Sequence, residues 1–160
     1  MLSILRVKTT QRYTNMLKLL IDDREQAVMP FFKDVSLMKS AQDKVHIEVK
    51  RMQIGDYSIL DSNSNVLFCI ERKTWRDLSA SIKDGRDSNI EKMVALRTET
   101  SCRLLLLIEG KARYKPMKKF ARIPYKNLQA KLDHLIVRDN ISIIYSDNEE
   151  DTARRLIEFC

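Results

Sequence analysis

No apolar run in this 160-residue chain is longer than five residues, and the fullest one, Leu104 to Ile108, is bounded by Cys102 and Gly110. A short apolar run between turn signals reads as a buried strand, and a bilayer would need roughly 20 such residues. A membrane-spanning protein is excluded. Around that run the apolar spacing switches repeatedly between periods of two and 3.6, the pattern of an α/β layered domain. Leu17 to Ile21, Val45 to Val49, Tyr57 to Leu60, Val66 to Lys73 and Ile141 to Tyr145 read as further strands. The turn cluster Ser62-Asn63-Ser64-Asn65 joins the third and fourth strands into a hairpin. Helical spacing marks Trp75, Leu78 and Ile82, then Ile90, Met93 and Val94, then Leu128, Leu132, Leu135 and Ile136 from near Pro124. A closing helix carries Ala153, Leu156, Ile157 and Cys160, capped by Asp147 or Asn148. Pro30 suits the first turn of a helix continued by Phe31, Val35 and Met38.

One domain is therefore expected over 17–160. The segment 1–16 lacks acids and contains Arg6, Lys8 and Arg12 among Ser and Thr. It resembles a mitochondrial transit peptide in composition, but a basic arm or linker is the preferred reading. The glycines Gly55, Gly85 and Gly110 cannot write GxGxxG or GxxxxGK[ST], which removes dinucleotide folds and Walker-type NTPases. Cys69, Cys102 and Cys160 are odd in number and form no CxxC, so they suit neither a disulfide framework nor a zinc site and point to a reducing, intracellular compartment. His46 and His134 lack ligand partners nearby and read as structural. Lys and Arg number 29 against 22 Asp and Glu, a net charge of +7 that favours a polyanionic partner, nucleic acid first.

The chemistry concentrates in Gly55-Asp56-Tyr57 and Glu71-Arg72-Lys73. Strand residues alternate faces, so Glu71 and Lys73 point one way and Arg72 the other. A hairpin would bring Asp56 beside Glu71. Two carboxylates in one small volume repel unless a cation lies between them, and oxygen ligands select Mg²⁺ or Mn²⁺. A lysine beside such an ion can orient or deprotonate a water, as phosphodiester hydrolysis requires.

These residues resemble the XPF-type structure-specific endonuclease family, whose nuclease domain bears GD…ERKxxxD. Here the pattern is Gly55-Asp56, Glu71-Arg72-Lys73 and Asp77. Ile21-Asp22-Asp23-Arg24-Glu25 stands where the family has VDxRE, and Ser81-Ile82-Lys83-Asp84-Gly85-Arg86 where it has SIxDGR. Leu104 to Gly110 is similar to its LLIEG strand, and Glu149 to Leu156 to its EETAxxL helix. The resemblance implies a restriction-nuclease-like core with a central mixed sheet flanked by helices. It implies Mg²⁺ or Mn²⁺ held by Asp56 and Glu71, with the Arg72 carbonyl as a third ligand and Asp22 as a further acidic group. Lys73 would handle the water, Asp77 and Arg72 would organise the site, and a pairing between those two is one expectation. Arg24, Glu25 and Arg86 would border the cleft. The family acts in DNA repair and recombination, so a nuclear or other DNA-containing compartment is implied.

Between Lys111 and Lys126 lie Lys111, Arg113, Lys115, Lys118, Lys119, Arg122 and Lys126 with no acid, interleaved with Tyr114, Phe120 and Tyr125. Cations and aromatics together suit phosphate contact and base stacking. The expected activity is metal-dependent DNA hydrolysis at branched or junction structures, leaving 5′-phosphate and 3′-hydroxyl ends. Two rivals stand beside it: a catalytically silent DNA-binding subunit, and a phosphodiesterase acting on a smaller nucleotide. Family members that cut branches usually carry a helix-hairpin-helix pair, and no glycine after Gly110 is available here for its GxG turns. The family also pairs through nuclease-domain helices, implying a homodimer or heterodimer, with Phe159 expected outside the core stripe of the closing helix.

Overall fold

Six strands form one mixed sheet: β1 (Leu17–Asp22), β2 (Val45–Lys50), β3 (Tyr57–Leu60), β4 (Val66–Thr74), β5 (Arg103–Glu109) and β8 (Ser142–Ser146). A computed structural model describes residues 16–34, 44–84 and 88–160. The arm 1–15, the expected helical positions Val35 and Met38, and Arg86 lie outside the described residues. The strand order is β2-β1-β3-β4-β5-β8, with β1 parallel to β2 and β4, β5 and β8 mutually parallel. Between these blocks β3 runs antiparallel to both β1 and β4. The restriction-nuclease-like expectation of a mixed sheet between helices holds.

Helices α1 (Trp75–Asp84), α2 (Ser88–Thr100) and α3 (Tyr125–Asp139) cover one face, where Cys69, Leu104, Leu106 and Ile108 meet Trp75, Met93 and Leu128. The other face packs Ile70, Leu105 and Leu107 against α4 (Glu149–Glu158) and a short 3₁₀ helix (Met29–Lys33). Apolar residues are required on both sides of β5, which explains its unbroken run. Asn148 caps α4, accepting from Asp151 N at 2.9 Å. The three acids of the first turn, Glu149, Glu150 and Asp151, complement the helix dipole.

A small hairpin, β6 (Lys119–Phe120) and β7 (Ile123–Pro124), escapes the sequence pattern. Its two turn residues, Ala121 and Arg122, take φ of 45° and 82°. A primed two-residue turn needs positive φ at both positions, usually supplied by Asn or Gly, so nothing in the sequence advertises it.

Candidate active site

The strand directions bring the decisive residues to one edge of the sheet. The strands β1, β4 and β5 end there, while β3 begins there. Gly55 makes the entry into β3 feasible. It adopts φ +70°, and a Cβ there would lie 2.9 Å from Cys69 Sγ and 3.0 Å from Ile70 O. Glycine alone suits both the backbone angle and the space. That close pass lets Asp56 N donate to Ile70 O at 2.8 Å, and the Asp56 carboxylate accepts from Arg72 N at 2.8 Å.

Glu71 is 3% exposed. Its Oε1 accepts from Asn89 Nδ2 at 2.8 Å and lies 3.3 Å from Lys73 Nζ. Its Oε2 is buried with no hydrogen-bond partner among the described residues. Burial, then repulsion from Glu71, pushes the Asp56 carboxyl up to about 7. These two acids face a cleft of about 750 Å³ whose walls include Arg24, Gln53, Gly55, Asn89 and Lys92. An orphaned buried oxygen near a carboxylate that resists ionisation is an arrangement whose repulsion a cation between the two would relieve. Since the β3–β4 ladder stops at Tyr57, Arg72 has no ladder partner on that side, and its carbonyl faces the same gap as its N–H. The donor set is all oxygen and fits Mg²⁺ or Mn²⁺.

Other expected residues go elsewhere. Asp22 is fully buried, but Oδ1 accepts from Arg24 N and Nε, and Oδ2 from Arg24 Nη2 and Met52 N. The Arg24 guanidinium holds the Asp22 carboxyl well below the usual range. Asp22 thus braces the cleft wall through Arg24, both of its oxygens already accepting bonds from the chain. Asp77 is not paired with Arg72. Its Oδ2 accepts from Thr74 N and Oγ1, and its N–H returns to Thr74 Oγ1, a capping box that starts α1. The Thr-x-x-Asp spacing could have signalled this.

The Arg72 side chain crosses to the opposite face. There Nε and Nη2 grip Glu109 at 2.8 and 2.6 Å, and Nη1 reaches Glu25 at 3.2 Å. Glu25 also accepts from Tyr57 OH at 2.6 Å. It therefore lies behind the sheet and does not border the cleft as expected. Burial and the Glu25 carboxylate raise the Tyr57 phenol, so it stays a donor. Sequence reading missed Asn89 and Glu109. The signal for Glu109 was an acid closing an otherwise apolar strand; Asn89 had none.

The seven cations of the 111–126 segment are exposed and leave the same sheet edge through Gly110. The interleaved aromatics are not stacking platforms. Tyr114, Phe120 and Tyr125 pack around Trp75 with ring centroids 5.0–6.3 Å apart. Ser79 Oγ donates to Phe120 O at 2.6 Å and anchors the hairpin. Phe159, expected outside the core, sits against Phe68 at 6.2 Å.

The sequence matches the ERCC4 domain over residues 21–159. It is 38% identical over 144 residues to the ERCC4 domain-containing protein EP364R of African swine fever virus, covering 88% of this chain and 39% of that protein. The chain thus spans about two fifths of that relative's length. The solved XPF from Aeropyrum pernix is similar in fold, with a TM-score of 0.59 and 21% identity over 88% of this chain and 62% of that one. The same protein in complex with DNA gives 0.58 and 22%, over 89% and 62%. The match runs from the end of β1 to the last turn of α4 and takes in both the paired carboxylates and the lysine beside them, so the chain belongs to the ERCC4 family of XPF-type nuclease domains.

Proposed function

We propose that this domain is a Mg²⁺- or Mn²⁺-dependent endonuclease that hydrolyses DNA phosphodiesters, acting at branched structures. The observation that carries the proposal is the Asp56–Glu71 pair, with its unpartnered Glu71 oxygen, beside Lys73. Asp56, Glu71 and the Arg72 carbonyl would hold the ion, which when bound neutralises phosphate charge and lowers the pKa of water. Asn89 and Lys73 together fix the Glu71 carboxylate. Lys73 orients the attacking water and stabilises charge on the phosphoryl oxygens. Arg24, spread between Asp22 and Met52 O through Nε and Nη2, keeps Nη1 for a phosphate oxygen. Water adds to phosphorus and the P–O3′ bond breaks, leaving 5′-phosphate and 3′-hydroxyl ends.

The DNA complex of the Aeropyrum pernix protein supports DNA as substrate. So does the exposed segment carrying Lys111, Arg113, Lys115, Lys118, Lys119 and Arg122, which would track the backbone. The partner is a second nuclease domain. On α3, Leu128, Leu132 and Leu135 are buried while Ile136 and Val137 are 46% and 86% exposed. Light scattering should return about twice the 18.8 kDa chain mass. The test of function is a panel of branched, duplex and single-stranded DNA plus a dinucleotide, with wild type and Glu71→Gln in Mg²⁺ or Mn²⁺. Wild type should cut branched DNA fastest and Glu71→Gln should cut nothing. Binding without cutting would identify a silent subunit, cutting of the dinucleotide alone a small-substrate enzyme, and full activity of Glu71→Gln would end the assignment.

A further inference from the structure

Behind the sheet lies a second set of buried charges that the hydrolytic scheme does not use. Arg72, Glu109 and Glu25 have side chains only 14%, 6% and 13% exposed. Thr152 of α4 donates to Glu109 Oε2 at 2.7 Å and is itself 2.6 Å from Ser146 Oγ. Since the Thr152 proton goes to Glu109, Ser146 is the donor in that second bond. Burying three ions is costly even when they are paired, and an apolar cluster would serve packing as well. Three residues of this set neighbour the front-face residues in sequence. Tyr57 follows Asp56, Arg72 separates Glu71 from Lys73, and Glu25 follows Arg24. By strand alternation Arg72 holds, from behind, a backbone whose neighbouring side chains, Glu71 and Lys73, work in front.

We propose that Glu109 is a positioning residue for the metal-binding carboxylates, acting through Arg72; the proposal rests on the nuclease reading above. Beyond the Tyr57–Ile70 pair the segment entering β3 is joined to β4 by Asp56 N–H to Ile70 O at 2.8 Å. One residue further along, the Arg72 N–H donates to the Asp56 carboxylate at 2.8 Å. The β5 ladder keeps Arg72 in register with Leu107, and the double grip of Glu109 on the guanidinium at 2.6 and 2.8 Å adds a side-chain tie on that same segment. Loosening the grip lets the Asp56–Glu71 gap vary. Mg²⁺ demands near-ideal octahedral geometry, whereas Ca²⁺ tolerates irregular, larger sites, so the gap governs ion selectivity.

The experiment reads ion binding without DNA, by Mn²⁺ spin resonance with Mg²⁺ and Ca²⁺ as competitors. Glu109→Gln keeps the shape but loses the charge. It should weaken Mg²⁺ by about tenfold or more, the range known for groups that orient metal ligands, and Ca²⁺ much less. Thr152→Val, which removes one donor to Glu109, should shift the ratio in the same direction by less and serves if Glu109→Gln does not fold. Leu156→Ala, in the same apolar cluster but outside the polar set, should lower Tm and leave the ratio alone. An unchanged Mg²⁺:Ca²⁺ ratio in whichever of the two polar variants fold, or an equal shift in Leu156→Ala, overturns the positioning role alone. A wild-type protein that binds none of the three ions overturns the nuclease reading and this proposal with it.

Discussion

The two faces of β4 hold charge in opposite ways. Behind the sheet Arg72 sits between Glu109 and Glu25, each of which also takes a hydroxyl donor, Thr152 or Tyr57. In front, Asp56 and Glu71 face a cleft with Lys73 beside Glu71 and Arg24 and Lys92 on its walls, and one Glu71 oxygen has no donor among the described residues. The chain completes the first arrangement from its own atoms, and in the second one carboxylate oxygen is unpartnered among the described residues. A buried charge cluster that is satisfied internally maintains the fold. One that is not is waiting for a ligand.

That contrast can be broken at several points. Lys73→Ala takes from the front face the cation that pairs with Glu71, and cleavage should fall by about 10²–10⁴ if Lys73 acts on the water. Single-turnover kinetics would measure this, and a loss below tenfold would make Lys73 a mere neutraliser of Glu71. Arg72→Met removes the cation behind the sheet and strands two buried acids, which should cost about 3–5 kcal/mol in urea unfolding. A loss under 1 kcal/mol would mean that the rear set relaxes as easily as the front.

Asp56→Asn tests the front face by pH. Asp56 has a folded-state value raised to about 7 above the ordinary 3.8. Wild type without divalent ions is therefore favoured while the group is protonated in the fold, and loses that stability as pH rises from 3.8 towards 7. The amide introduced by Asp56→Asn cannot ionise, so the variant should melt higher than wild type at pH 8 and no higher at pH 4. Identical Tm profiles would mean that the pair does not repel. The smallest effect concerns the outer segment. Neutralising Lys115, Lys118 and Lys119 should reduce the salt slope of DNA binding by roughly 0.9 for each phosphate that is no longer neutralised. Because these side chains are exposed, Tm should hardly move. A changed Tm with an unchanged slope would assign them to the fold.

The sequence made the strands legible because each alternates or is continuously apolar, and β1, β3, β4 and β5 fall within a residue or two of their expected bounds. It also made Asp56 and Glu71 legible as neighbours, since a hairpin across Ser62 to Asn65 leaves them nowhere else to go. It did not reveal that Arg24 occupies Asp22, because an ion pair two residues apart leaves no periodic trace. The aromatics of the basic segment misled for a related reason. Alternating cations and rings look the same whether the rings face DNA or Trp75, and only the tertiary contact decides. Glu109 was visible as a residue but not as a partner, because its guanidinium lies 37 positions away on the neighbouring strand.

The β3–β4 hairpin has a consequence for the order in which the protein assembles. The bond from Arg72 N to Asp56 closes over 16 residues, whereas the Arg72 bonds to Glu109 and Glu25 close over 37 and 47. Shorter loops cost less entropy and close sooner. During folding the two acids would therefore meet before the clamp behind them exists, at the moment when their repulsion is least opposed. Divalent ions should then speed refolding as well as stabilise the product, and stopped-flow refolding at equal final stability, with and without Mg²⁺, would detect the difference. Faster refolding in Mg²⁺ would mean that the same ion serves folding first and the proposed chemistry afterwards.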